Sequence, residues 1–315
     1  MSDRKMVMDS IFVYFSGIDE IDIEQTIDTC LKNAVNPDRI SFGISLQYQQ
    51  YNKKSFKHIK NLKEIQIEAE DILGVGITRQ LVSLLHSGEK YCLQIDAHMI
   101  FNESWDENLI SYYNSAKTVN DKVILSGYAP SWYRDGNNIV KESPESLYSI
   151  TLVNDNKIAH QPIVSFIESK NPIKVNDLIF YEQKAISYHF IFSEFNILKD
   201  LLPDPLIVYN GDEATISLRA ISRGYKVYMP SKIILWHLNK TKDSFYSKQD
   251  RHWQPMFLGK QEPRSIRETR ITQDSYQRVK DIFLGNVLGY YGAETKEALE
   301  KYSKYVGIDF KESLI

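Results

Sequence analysis

With 315 residues, 43% of them hydrophobic and 25% charged, the chain can bury a sizeable core, as one large α/β domain with an appendage or as about two ordinary domains. That composition excludes collagen-like repeats and low-complexity disorder. The 38 Lys and Arg against 41 Asp and Glu leave a net charge of −3, so no chain-wide basic field exists to draw in nucleic acid non-specifically.

The stretch Met1 to Ser10 is charged and polar, and the apolar run Ile11 to Phe15 after it is too short for a signal sequence. No segment approaches the ~20 apolar residues that span a bilayer. Cys30 and Cys92 both sit in apolar surroundings and form neither a disulfide framework nor a metal-site pattern, so they read as reduced core thiols. The protein is therefore expected to be soluble and cytoplasmic, with no membrane partner.

Ile11 to Phe15 reads as a strand covered on both faces. Asp22 and Gln25 form the pattern of a capping box at the start of a helix whose apolar positions are Ile23, Ile27, Cys30, Leu31 and Ala34. Asn36-Pro37 stops it. Ile40 to Leu46 and Glu64 to Glu68 read as strands. Gly74-Val75-Gly76 opens a helix that ends at Gly88, and Tyr91 to Ile95 is the next strand. This β-α-β-β-α-β order predicts a mostly parallel, Rossmann-like sheet.

Ser104 to Asn114 reads as a helix, with Ser104 and Glu107 as a second capping box, and Val123 to Tyr128 returns to the sheet. Tyr148 to Val153, Ile163 to Ile167 and Ile186 to Phe192 are short β runs that predict an antiparallel insertion. A helix over Asp212 to Ser222 ends at Gly224, and strands follow at Tyr225 to Met229 and Lys232 to Trp236. From Thr241 the chain turns polar and basic, with helices at Thr272 to Phe283 and Glu294 to Tyr305. The expected division is an α/β domain over 1–245, with a basic, mainly helical C-terminal extension over 246–315 packed on it.

The chemistry concentrates where Tyr91-Cys92-Leu93-Gln94-Ile95 runs into Asp96-Ala97-His98. In open α/β sheets, ligands bind outside the carboxyl ends of the strands. Residues two apart in extended backbone face one side, so Asp96 and His98 are placed to hold one ion. A carboxylate oxygen with an imidazole nitrogen suits Mn²⁺ or a related divalent cation better than Ca²⁺. Such an ion would neutralise a pyrophosphate leaving group. The other reading is a turn aspartate beside a surface histidine. A second apolar strand, Lys232 to Trp236, ends in His237, which taken alone is as readily a core or surface residue.

Read together, these stretches resemble the cytoplasmic polypeptide α-N-acetylglucosaminyltransferases of the hydroxyproline-modifying type and, more distantly, the polypeptide GalNAc-transferases. The resemblance runs nearly end to end. It begins with Ile11-Phe12-Val13, Thr26-Ile27 and Asn36-Pro37-Asp38-Arg39-Ile40. Its most specific part is Leu93-Gln94-Ile95-Asp96-Ala97-His98-Met99 with Trp105-Asp106. It continues through Asn210-Gly211-Asp212-Glu213, Ile216-Ser217, Arg219, Gly224-Tyr225 and His237 to Gly307-Ile308-Asp309-Phe310.

The resemblance implies a GT-A fold and metal-dependent, retaining transfer of a sugar, GlcNAc foremost, from a UDP-sugar to a hydroxyl on a polypeptide. It implies Asp96, His98 and His237 as ligands of Mn²⁺ or another divalent cation, with Asp96 also beside the donor. Asp212 and Glu213 match an acidic pair by the donor sugar and acceptor; in the first turn of a helix they would also suit its positive end. Arg79 matches an arginine near the pyrophosphate and otherwise reads as a solvated helix-face residue. Phe15 and Ser16 fall where GT-A proteins hold uracil and ribose. Gly74-Val75-Gly76 reads as a plain turn or a weak phosphate cradle.

The chain departs from the family at Ser16-Gly17-Ile18-Asp19-Glu20, where an arginine-aspartate pair is expected, and at Ile186-Ser187-Tyr188-His189-Phe190, which replaces a small-residue segment near the acceptor. The basic stretch Lys248 to Lys280, with Trp253 and Tyr276, motivates an alternative acceptor: DNA carrying hydroxyl-modified bases. A third reading is a nucleotide-sugar-binding protein without turnover.

Overall fold

The computed structural model describes residues 9–18, 20–48, 56, 58–68, 74–144, 148–155, 161–168, 172–245 and 263–314. The apolar run of the first strand extends to β1 (Ile11–Ile18), followed by α1 (Ile23–Lys32), β2 (Ile40–Tyr48) and β3 (Leu62–Glu68). Next come α2 (Val75–Ser83), β4 (Tyr91–Ile95), β5 (Met99–Phe101), α3 (Trp105–Lys117) and β6 (Val123–Ser126). The middle of the chain is β7 (Ser131–Asp135), β8 (Asn138–Lys141), β9 (Tyr148–Asp155), β10 (Gln161–Glu168), β11 (Ile173–Val175), β12 (Leu178–Gln183) and β13 (Phe190–Glu194). It closes with α4 (Ile197–Leu201), α5 (Asp212–Ser222), β14 (Lys226–Pro230), β15 (Leu235–Leu238), α6 (Pro263–Phe283), α7 (Lys296–Val306) and α8 (Phe310–Ser313).

Nine strands form one sheet in the order β11-β12-β14-β6-β13-β4-β1-β2-β3. Within it only β12 and β13 run against the others, so the sheet is mostly parallel as expected. The chain winds outward from β1 through β2 to β3, then returns by α2 to place β4 on the other flank of β1. That reversal opens a crevice beyond the carboxyl ends of β1 and β4. A smaller sheet, β5-β15-β7-β8, lies beyond the end of β4, and β9 and β10 pair antiparallel on their own.

Alternation along the central strands sends Ile11, Val13 and Phe15 to one face, where Ile27 and Cys30 of α1 and Trp105 and Leu109 of α3 cover them. Phe12, Tyr14 and Cys92 point to the other face, against Val82 of α2 and Ile216 of α5. Both cysteines are free and buried, as read from the sequence. A third apolar cluster joins Ala214 and Leu218 of α5 to Val279, Ile282, Leu299 and Tyr302 of α6 and α7. Among the described residues, no helix is long and apolar enough to cross a membrane.

Neither expected capping box forms. Asp22 precedes α1, but its carboxylate is paired with the Arg134 guanidinium instead of a backbone N–H. Ser104 precedes α3 in the left-handed region at φ 56° and makes no side-chain cap. Glu107 accepts a hydrogen bond from Arg39 at 2.9 Å, and Asp106 one from the same guanidinium at 2.8 Å. In both places a charge-assisted bond to a distant arginine replaces the weaker local cap. Sequence periodicity also misplaced two strands. The run Ile186 to Phe192 becomes strand only from Phe190, because the main chain at Tyr188 is held by the Glu213 carboxylate at 2.8 Å. The strand expected at Lys232 to Trp236 shifts to Leu235–Leu238, where β5 and β7 supply its partners.

Candidate active site

Asp96 follows β4 at the mouth of the crevice, and Ala97 and His98 form the bend into β5. The bend is pinned from three sides. The buried Thr26 hydroxyl of α1 donates to Ala97 O at 2.9 Å and accepts from Met99 N at 2.9 Å. Trp132 Nε1 donates to His98 O at 3.0 Å, and Leu238 N reaches the same carbonyl at 3.2 Å. Because β15 pairs antiparallel with β5, with His237 opposite Met99, His237 arrives beside His98.

The potential ligand atoms of Asp96, His98 and His237 lie within 4.8 Å of one another, and the described residues hold no second such group. His98 Nε2 stands 3.0 Å from His237 Nε2, which is 3.3 Å from Asp96 Oδ2. Two imidazole nitrogens and a carboxylate oxygen thus converge on one point, a donor set that fits Mn²⁺ or a similar divalent cation. Glu20 accepts from His98 Nδ1 at 2.9 Å, which leaves the Nε2 lone pair turned inward, as in carboxylate–histidine–metal arrangements. Lys240 Nζ lies 3.0 Å from the same carboxylate oxygen. Burial opposes the Asp96 charge, but the His237 hydrogen bond and the Arg79 charge outweigh it and hold the carboxyl well below the usual range. Burial also lowers the His237 pKa, keeping it in the neutral form a ligand requires. Replacing Glu20 by Ala is expected to weaken Mn²⁺ binding by about tenfold while leaving the fold intact. A calorimetric Mn²⁺ titration of the folded variant checks this, and an unchanged affinity would remove Glu20 from the site.

The glycine pair at the start of α2 has a packing role. Gly74 has φ +91°, and a Cβ on Gly76 would lie 2.1 Å from Asp204 O and 2.4 Å from Ile207 O. Val75 N donates to Val208 O at 2.7 Å and Gly76 N to Ile207 O at 3.1 Å. These amides are therefore occupied by the loop that leads into α5, and the phosphate-cradle reading falls away. The same close approach brings Arg79 of α2 to Asp212 at the first turn of α5.

Arg79 is 8% exposed, so it is no solvated helix-face residue. One arm of its guanidinium pairs with Asp212, and the other donates to Asp96 Oδ1 at 3.2 Å. The Tyr188 ring lies 3.8 Å from the guanidinium carbon. Glu213, next to Asp212, accepts from Ser187 Oγ at 3.0 Å and Tyr188 N at 2.8 Å. Burial and the neighbouring Asp212 charge push the Glu213 carboxyl up to about 7, and burial also raises Asp212.

The structure thus unites Arg79, Asp96, His98, Asp212, Glu213 and His237. Phe15 is different: its ring is fully buried in the core, so the side chain does not line the crevice. Ser16 lies half-buried near the end of β1, paired in register with Ser45 of β2. Ser45 and Gln47 of β2 have buried Oγ and Oε1 atoms that make no hydrogen bond to any described residue. Glu20 and His189 were visible only as departures from a family pattern. Of the basic stretch, Lys248, Arg251, Trp253 and Lys260 lie outside the described residues. Arg278 is committed to Asp204, Nε to Oδ2 3.0 Å, and the Tyr276 hydroxyl accepts from Asn210 at 3.1 Å.

The mostly parallel sheet, with the Asp-x-His bend beyond its switch point, is the GT-A fold of glycosyltransferases, shared with the GalNAc-T7 structure. The sequence pattern of the family described as "Glycosyltransferase (GlcNAc)" matches residues 48–312, and the chain belongs to that family. It is similar to the crystal structure of GalNAc-T7 with UDP, GalNAc and Mn²⁺, at 15% identity over 96% of this chain and a TM-score of 0.61. The aligned region is 56% of the GalNAc-T7 chain, so this chain spans little more than half of that protein. The structure of S. aureus TarS 1-349 in complex with UDP-GlcNAc aligns at 12% identity over 97% of this chain and 82% of that one, with a TM-score of 0.48. No curated protein sequence matches.

Proposed function

We propose that this protein is a metal-dependent, retaining glycosyltransferase that moves GlcNAc from UDP-GlcNAc to a hydroxyl of a polypeptide in the cytoplasm. The observation that carries the reading is Arg79, whose guanidinium joins Asp96 of the three-ligand cluster to Asp212 of the acidic pair. A diphosphate site and a sugar site are thereby adjacent. The family assignment and the fold shared with GalNAc-T7, solved with UDP, GalNAc and Mn²⁺, support it.

Asp96, His98 and His237 would hold the cation, which when bound supplies positive charge against the leaving diphosphate. Arg79 adds a second, fixed positive charge beside it. Asp212 and Glu213 face the positive charge that develops at the anomeric carbon. The bond from that carbon to the UDP oxygen breaks, a bond to the acceptor oxygen forms on the same face, and the acceptor proton passes to the departing diphosphate oxygen. Such a route relies on alignment and electrostatics and needs no separate base. Residues 1–245 would form the catalytic domain, with 246–315 buttressing α5 through the contacts of α6 and α7.

A released-nucleotide assay tests the proposal. The protein is incubated with UDP- and GDP-sugars, with Mn²⁺ or chelator, and with hydroxyproline peptides or DNA bearing hydroxymethylated bases as acceptors. Metal-dependent UDP release from UDP-GlcNAc, at least tenfold above the other donors and stimulated by the peptide, is expected. Stimulation by DNA alone would replace the acceptor. Silence throughout, with no UDP-induced thermal shift, would sink the transferase reading.

A further inference from the structure

His189 belongs neither to the three-ligand cluster nor to the acidic pair, yet the fold delivers it to both. It immediately precedes Phe190, the first residue of β13, which pairs with Ile95, the residue just before Asp96. Its imidazole stacks on the His237 ring with centroids 3.8 Å apart and planes 7° from parallel. The Tyr128 ring lies 4.1 Å from the same imidazole, tilted by 34°. Two rings at those distances cannot share a face, so His189 is sandwiched and cannot swing.

Its tautomer is set by the main chain. Ala129 N–H donates to His189 Nδ1 at 3.2 Å, which makes Nδ1 the acceptor and places the proton on Nε2. His189 is 8% exposed, and Nε2 makes no hydrogen bond to another described residue. Nε2 is not among the fully buried polar atoms, so its N–H stays open to the site, where a ligand oxygen can take the place of water as its acceptor. The residues just before it, Ser187 and Tyr188, hold Glu213 at 3.0 and 2.8 Å. The segment 187–189 therefore bridges the His237 side of the site to its acidic side, the interval a sugar on a cation-held diphosphate would fill.

We infer that His189 is a specificity-determining residue, donating its Nε2–H to an oxygen of the sugar carried by the nucleotide. This rests on the function proposed above and adds a residue that recognises the sugar instead of the nucleotide. A rigid donor of this kind favours a sugar that presents an oxygen at that point and disfavours one that leaves the N–H unpaired.

The test is calorimetric titration of the full chain in Mn²⁺ with UDP and, separately, with UDP-GlcNAc. For His189→Phe the UDP affinity is expected to stay within about twofold and the UDP-GlcNAc affinity to fall about tenfold, the loss of one buried hydrogen bond. His189→Gln, whose amide N–H reaches about where Nε2–H stands, is expected to recover most of the loss. Thermal unfolding confirms that both variants fold. Equal weakening of UDP and UDP-GlcNAc in both variants would show that the ring only buttresses His237, and would overturn the inference. So would unchanged binding of both ligands. A wild-type chain that binds neither would overturn the functional proposal itself, a result distinct from binding that is blind to His189.

Discussion

Asp96→Ala is expected to reduce Mn²⁺-dependent UDP release by about a thousandfold and to abolish the thermal shift that Mn²⁺ and UDP produce together. The size follows from three losses at one atom group. The carboxylate is the one anionic member of the three-ligand cluster, it receives the Arg79 guanidinium at 3.2 Å, and it lies 3.3 Å from His237 Nε2. Without it, two imidazoles remain to hold a divalent cation, and among the described residues Arg79 keeps Asp212 as its carboxylate partner. His237→Ala should lose less, about a hundredfold, because Asp96 and the Glu20-oriented His98 persist. Nucleotide release measured across a Mn²⁺ series separates the cases. An Asp96→Ala protein that keeps more than a tenth of wild-type turnover would mean that the cluster does not bind the catalytic ion.

The second large effect concerns Glu213 and has a defined dependence on pH. Burial and the adjacent Asp212 push its carboxyl up to about 7, so the anionic form that would face a cationic anomeric carbon is present only above that value. Wild-type turnover is expected to rise with pH through a midpoint near 7, falling about tenfold per unit below it. Glu213→Gln is expected to be about a hundredfold slower and flat between pH 6 and pH 8. A rising limb that survives in the variant would assign the titration elsewhere.

The same shift predicts the sign of a stability change. The folded-state value lies above the 4.5 of an ordinary glutamate, so the protonated form is favoured by folding. That contribution is fully present below about 4.5 and is lost as pH rises through about 7. Relative to Glu213→Gln, the wild-type protein should therefore be less stable at pH 8 than at pH 5, as urea unfolding at the two values would show.

Much of this architecture was legible in the residues. The apolar β1, β2 and β4 segments, the helix spacing of α1 and the Asp-x-His at the end of a strand are local patterns with direct physical readings. Other elements were legible in kind but misplaced. Both capping boxes had the right residues, but the carboxylates of Asp22 and Glu107 found arginines that the sequence keeps far away, Arg134 and Arg39. Gly74 and Gly76 looked like a turn or a phosphate loop and proved to be the place where the chain before α5 packs onto α2. Phe15 lies in the C-terminal half of β1, yet alternation turned its ring into the core.

What the sequence alone determined is therefore the set of parts: an alternating strand-helix chain, buried thiols, and chemically capable side chains at the ends of strands. Each follows from interactions within a few residues, which spacing and side-chain type control. Only the tertiary structure decided which parts meet. His98 and His237 are 139 positions apart and Arg79 and Asp212 are 133 apart, and nothing local relates them. They converge because β15 chooses β5 as its partner and α2 docks against the loop before α5. Those choices depend on strand order and on packing across the whole sheet, where many weak contacts are satisfied together.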